Sequence, residues 1–176
     1  MLLKVVVRFR YSFLLLKQLV ITDFKLRYQG SVLGYLWSLL KPLALFLILY
    51  FVFTNFIKIG AKVPHYSVYL LLGIVLWSYF VEVTSTGISA IVSKGDIIRK
   101  INFPKYVIIL AVSLSALINL SINLVVVLIF SVINGVDFKP IVLVMPLLVV
   151  EMFVFSTALA LILSAAFVRF RDLSHI

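Results

Sequence analysis

Two carboxylates lie inside long apolar runs: Glu82, followed by Thr84, Ser85, Thr86, Gly87 and Ser89, and Glu151 in a later run. A charge at that depth is costly unless it is protonated, hydrogen-bonded to a neighbouring helix or set on an aqueous path. No basic residue sits deep enough along the chain to be an obvious partner for either. Asn119 and Asn123, four apart on one helical face with Ser115, suit either interhelical hydrogen bonding or a channel wall. Chemistry of other kinds lacks its residues. His65 and His175 are far apart, Cys is absent, and no Walker-type loop, Gly-x-Ser-x-Gly elbow or His-Glu-x-x-His occurs. Neither catalysis, a metal nor a bound cofactor is therefore expected of this chain. Any work it does must draw on a partner or a gradient. A gradient-driven carrier would show paired titratable sites and inverted repeats, and the halves show no evident symmetry.

The second chemical feature is a polar island, Lys94-Gly95-Asp96-Ile97-Ile98-Arg99-Lys100-Ile101-Asn102-Phe103-Pro104-Lys105, between apolar runs. Gly95 can end the preceding helix, Asp96 can cap a new one and Pro104 can stop it, which predicts a short helix lying across the membrane face within 95–103. Ile97, Ile98 and Ile101 fall at helical spacing on one side while Arg99 and Lys100 face away. One face would rest on the membrane domain and the other meet water or a partner. An ordinary topogenic loop has the same composition.

The elements that position these groups follow from bulk composition. The chain has 176 residues, 64% of them hydrophobic and 12% charged, with a mean hydropathy of +1.25. Apolar runs of about twenty residues are accommodated by lipid, so the fold is an all-α integral membrane protein. Four spans are expected, at 35–57, 67–92, 106–133 and 141–168, with Pro146 as a kink in the last. Lys41 should sit shallow in the first, its ammonium reaching the headgroups. Residues 1–34 mix Lys17, Lys25 and Arg27 with Phe13, Leu16, Val20 and Phe24 at helical spacing, which predicts an amphipathic helix at the interface. Gly30 and Gly34 suggest a turn and a helix start at Ser31. The net charge of +10 is read as topology and not as a nucleic-acid site: thirteen Lys and Arg fall on one side of the spans and three on the other. The richer side is the cytoplasmic one, which puts both termini and the polar island there. No cleavable signal peptide is evident.

Aromatic residues form stripes at Phe46, Tyr50 and Phe53, and at Tyr69, Trp77 and Phe80 with Gly73. Such stripes suit sugars by stacking, and they equally suit the belt at a membrane interface.

Three stretches carry a resemblance to a known family. Residues 23–42, from Asp23-Phe24-Lys25-Leu26-Arg27-Tyr28 through Gly34-Tyr35-Leu36-Trp37 to Lys41-Pro42, resemble a passage from an interface helix into a first span. Ile97-Ile98-Arg99-Lys100-Ile101-Asn102-Phe103-Pro104 is similar to a coupling-helix region, and Phe167-Val168-Arg169-Phe170-Arg171-Asp172-Leu173 to the end of a fourth span. The chain thus resembles the membrane subunits of ABC type 2 exporters that move O-antigen, teichoic acid and capsule polymers out of bacteria.

The resemblance implies two permease subunits in the bacterial cytoplasmic membrane, paired with two cytoplasmic ATPases that hold ATP and Mg. Asp96, Ile97, Ile98, Arg99, Lys100, Ile101 and Phe103 would couple to the motor. Lys25 and Arg27 would meet the lipid-linked diphosphate of a glycan or polyol phosphate substrate. Family members usually continue through a fifth span, a re-entrant segment and a sixth span, so a truncated or split reading frame is expected. The other readings are a non-transporting anchor or assembly subunit, and an exporter of drugs or lipids.

Overall fold

The computed structural model describes residues 2–28, 34, 36–58, 63–100 and 103–170, and within them the side chains of all but residues 2–10, 27, 28, 97, 100 and 141. The described chain is helical. In order come α1 (Leu2–Tyr28), α2 (Leu36–Phe51) running into a π-helical turn (Val52–Phe56), α3 (Tyr66–Ser93), α4 (Gly95–Lys100), α5 (Tyr106–Ile133), a 3-10 turn (Pro140–Val144) and α6 (Met145–Arg169). Four segments are long and apolar enough to cross a membrane: Leu36–Phe56, Tyr66–Ser93, Tyr106–Ile133 and Val142–Arg169. The last three have 28 residues each, or about 42 Å at 1.5 Å per residue. A hydrocarbon core of about 30 Å obliges such helices to tilt or to protrude.

Helix α3 is the hub, packed on α5, on α6 and on α2, while α1 lies along α5. Small residues allow the close approaches. A Cβ added at Gly87 would stand 2.8 Å from that of Ala160, so α3 and α6 meet with almost no side chain between them. On α5, Ala111, Ser113, Ser115 and Ala116 are all fully buried. The hydroxyls in this region mostly turn back on their own helices: Ser113 donates to the Ile109 carbonyl at 3.0 Å, Ser156 to Met152 at 2.7 Å and Ser131 to Val127 at 2.8 Å. Each donor is satisfied without water, which the interior of a bilayer does not supply.

Helix α1 has two unlike sides. Leu15, Leu16, Leu19 and Val20 pack into the core, whereas Phe13, Leu14, Lys17, Ile21, Lys25 and Leu26 are exposed. That division suits a helix lying on the membrane domain with lipid headgroups at its other side.

Several local expectations need correction. The turn at Gly30 and the helix start at Ser31 fall outside the described residues; α2 begins at Leu36, after Gly34 turns the chain with φ +45°. Pro146 lies where the fourth span passes from the 3-10 turn (Pro140–Val144) into α6. It sits in the first turn of α6, where its missing N–H would have had no helical acceptor. Gly95 does not close the preceding helix, since Lys94 does so with an ordinary negative φ and Gly95 is already the first residue of α4.

Candidate functional site

Two places gather the polar side chains. The first is the junction of α3 and α4. The Ile98 N–H bonds the Lys94 carbonyl at 3.2 Å, so Lys94 occupies the capping position and Asp96 lies within the first turn, exposed, where its charge favours the helix N-terminus through the dipole. The Lys94 ammonium donates to both carboxylate oxygens of Asp23, at 2.8 and 2.7 Å. Side-chain exposures of 17% and 20% mean the pair is largely shielded from water, so losing one partner strands a partly buried charge. The joint pins α1 to the root of α4 across 71 residues of sequence.

The rest of α4 is divided between core and surface. Ile98 packs against the core and Arg99 is exposed. Phe103 corrects an expectation. Grouped with residues that would meet a motor, it is only 7% exposed and belongs to the core cluster, because the chain must turn back into the apolar layer just before α5. The side chains of Ile97 and Lys100, and Ile101 altogether, lie outside the described residues. So does the side chain of Arg27, while Lys25 is exposed on α1.

The second place is a cleft of about 940 Å³ between α2, α3 and α5. Helix α2 lends Trp37, Ser38, Lys41 and Pro42 to its wall; α3 lends Trp77, Tyr79, Glu82, Ser85 and Thr86; α5 lends Asn119 and Asn123. The polar groups form a chain. The Asn119 Nδ2 donates to Glu82 Oε2 at 2.9 Å, and the Asn123 Nδ2 donates to the Asn119 backbone carbonyl at 2.9 Å and to its Oδ1 at 3.3 Å. Glu82 is thus held by a neighbouring helix, one of the outcomes open to a carboxylate at this depth. Ser115, on the same face, is buried with its hydroxyl unpartnered among the described residues and stands outside that chain of bonds. Lys41, expected only at headgroup level, lines the same cleft as Glu82, because antiparallel α2 and α3 bring the start of one level with the later half of the other.

Glu151 is elsewhere. It is exposed on α6, one turn before Phe155, whose ring stacks on Phe80 at 6.1 Å; Phe80 in turn meets Trp77 at 5.5 Å. It does not line the cleft that holds Glu82, so the two carboxylates are not a paired titratable site. The first aromatic stripe also crosses helices. Phe46 and Tyr50 stack at 5.5 Å, and the stacking continues from Tyr50 to Tyr66 on α3 at 6.4 Å, while Phe53 lies within the π turn that begins at Val52.

Asp23 and Tyr79 escaped sequence reasoning. Asp23 had one signal, being the sole acidic residue before Glu82. Tyr79 had none: an aromatic residue in an apolar run reads as packing, yet its hydroxyl is buried without a partner among the described residues.

Comparison with known proteins agrees with this architecture. A family model described as ABC-2 type transporter matches residues 15–176. An O-antigen export system permease protein RfbA of Myxococcus xanthus is 33% identical over 162 residues, covering 92% of this chain and 62% of the relative. A protein of the same name from Klebsiella pneumoniae is 30% identical over 166 residues, covering 94% and 63%. The chain therefore spans a little under two thirds of the length of these relatives. With four membrane-length helices and a match over nearly all its length, the chain belongs to the ABC-2 type transporter family.

Proposed function

We propose that this chain is a permease component of an ATP-driven exporter that moves a lipid-linked polysaccharide or polyol phosphate across the bacterial cytoplasmic membrane. The observation that carries the reading is the likeness to the two O-antigen export permeases over more than nine tenths of the chain. ATP and Mg would be held by a separate cytoplasmic ATPase, and a second copy of the permease would complete the membrane domain. Both termini and α4 would face the cytoplasm, as the distribution of Lys and Arg favours.

In this reading α4 is the lever. It is six residues long, joined to the end of α3 with one intervening residue, and fixed to α1 through Lys94 and Asp23. Force on Arg99 would reach α3 directly and α5 by way of α1. Lys25 and Arg27 would receive the diphosphate of the substrate at the membrane surface, by charge attraction.

The test is reversal of charge at Arg99 and Lys100 together, in cells that carry the ATPase. Export of the glycan should cease while membrane insertion and abundance remain normal. Export at the ordinary rate would refute the lever, and failure of any ATPase to co-purify with the chain would refute the exporter.

A further inference from the structure

The two carboxylates within the spans are treated differently. Glu82 is held by Asn119, whereas Glu151, exposed on α6, has no hydrogen bond or ion pair among the described residues. Its depth makes that costly. Glu151 is the tenth residue of the span Val142–Arg169, about 14 Å along an axis of about 42 Å. A hydrocarbon core of about 30 Å then places it, in a centred helix, about 8 Å beneath the boundary, below the headgroups. A carboxylate at such a level is expected to face a partner and not acyl chains. The basic groups of the spans do not serve: Lys41 lines the cleft that Glu151 does not border, and Arg169 stands at the far end of the same helix, about 27 Å away.

The face around Glu151 has the pattern of a helix contact. Glu151, Phe155, Ala158, Ile162 and Ala165 are exposed at alternating steps of four and three residues, the spacing of a seam along which one helix lies lengthwise on another. Phe155 and Ile162 protrude from it, 60% and 66% exposed. The opposite face of α6, with Ser156, Ala160 and Ser164, is already buried in the bundle. A second copy of the chain is a poor occupant. Two copies share one orientation in the bilayer, so a two-fold axis along the membrane normal would set both Glu151 side chains at one depth and oppose like charges. The carboxylate calls for the opposite sign.

We propose that this face of α6 is the docking surface for a further membrane helix that carries a basic side chain, lysine or arginine, level with Glu151. The proposal stands apart from the export reading and holds whatever the cargo is.

The protein carries its own reporter. Trp37→Phe leaves Trp77 as the sole tryptophan, and Trp77 reaches Phe155 through the ring of Phe80. The full chain with this change, in phosphatidylcholine vesicles, is titrated with dansyl-labelled polyleucine helices of about twenty residues that bear arginine, leucine or glutamate at the level of Glu151. Saturating energy transfer from Trp77 is expected with the arginine helix, at a half-saturation at least fivefold below that of the leucine helix. Glu151→Leu should erase the preference and Glu151→Lys should pass it to the glutamate helix. Thermal unfolding confirms that the variants are folded, and Glu151→Gln, which keeps the shape and loses the charge, should erase the preference if either of the others fails to fold. Equal half-saturation for the arginine and leucine helices, no transfer to any helix, or a preference that survives Glu151→Leu would each overturn the proposal. Transfer to N-terminally dansylated copies of the chain itself, abolished by Glu151→Leu, would assign the face to a second copy and overturn it too. So would a Glu151-dependent change in Trp77 emission when phosphatidylethanolamine replaces phosphatidylcholine without any preference among the helices, which would assign the face to a lipid ammonium.

Discussion

Helix α3 makes two contacts of opposite character. Against α6 it presents Gly87 to Ala160 at the limit of approach, with Ser156 buried and its hydroxyl bonded to its own helix. Against α5, near the cleft, it presents Glu82, whose carboxylate is held by a side chain of the other helix. The first contact holds largely by shape, with the Ser156 hydroxyl turned back on its own helix and that of Thr157 buried without a partner among the described residues. The second leaves polar groups facing an open space, and it can change partners without breaking the helices. A membrane helix that must be both anchored and responsive can divide the two tasks between its faces.

The comparison is broken most severely at Gly87. A leucine there would drive a large side chain into the Ala160 backbone, and overpacking of this kind costs about 1–3 kcal/mol or more. Gly87→Leu should abolish recovery of folded protein, read by thermal unfolding in detergent and by abundance in membranes.

The ion pair that ties α1 to the α3–α4 junction comes next. Asp23→Lys should lower the unfolding temperature and export together, and Lys94→Asp added to it should restore much of both, with a coupling energy of about 1 kcal/mol or more in the double-mutant cycle. An absence of restoration would show that Asp23 acts through something other than Lys94.

Smaller still is Glu82→Gln, which keeps the shape and one acceptor for Asn119. Interhelical hydrogen bonds in membranes average about 0.6 kcal/mol, so its unfolding temperature should fall only slightly, and a large fall would make Glu82 a stabilising residue like those facing α6. Ser156→Ala should be nearest to neutral, within about 0.5 kcal/mol by the same measurement, because the hydroxyl bonds only its own helix. A pronounced effect would reveal a polar role on the face that packs by shape.

Much of the fold was legible in the residues because apolar runs of span length have few solutions, and an N-terminal helix followed from the spacing of Phe13, Leu16 and Val20, although Leu16 and Val20 pack into the core while Phe13 is exposed. Periodicity also indicated which face of a helix is distinctive, as for Asn119 and Asn123. It could not indicate the neighbour of that face. Glu82 and Asn119 are 37 residues apart and Asp23 and Lys94 are 71 apart, and no local pattern encodes pairing between helices at such separation. Phe103 misled for a related reason: it lies in a polar stretch of sequence, but the return of the chain to the apolar layer decides its burial. The π turn at Val52–Phe56 has no composition of its own, so a break in the regular helix there could not be foreseen.

The shielded joint between Asp23 and Lys94 has a consequence for ionic strength. Counterions attenuate attraction between exposed charges beyond about 8 Å at physiological salinity, and shielded pairs much less. Brine should therefore weaken any attraction of the proposed ATPase for the exposed Arg99 while α1 stays fastened to the bundle, so that a salt ramp separates the proposed docking from internal transmission without altering a single residue.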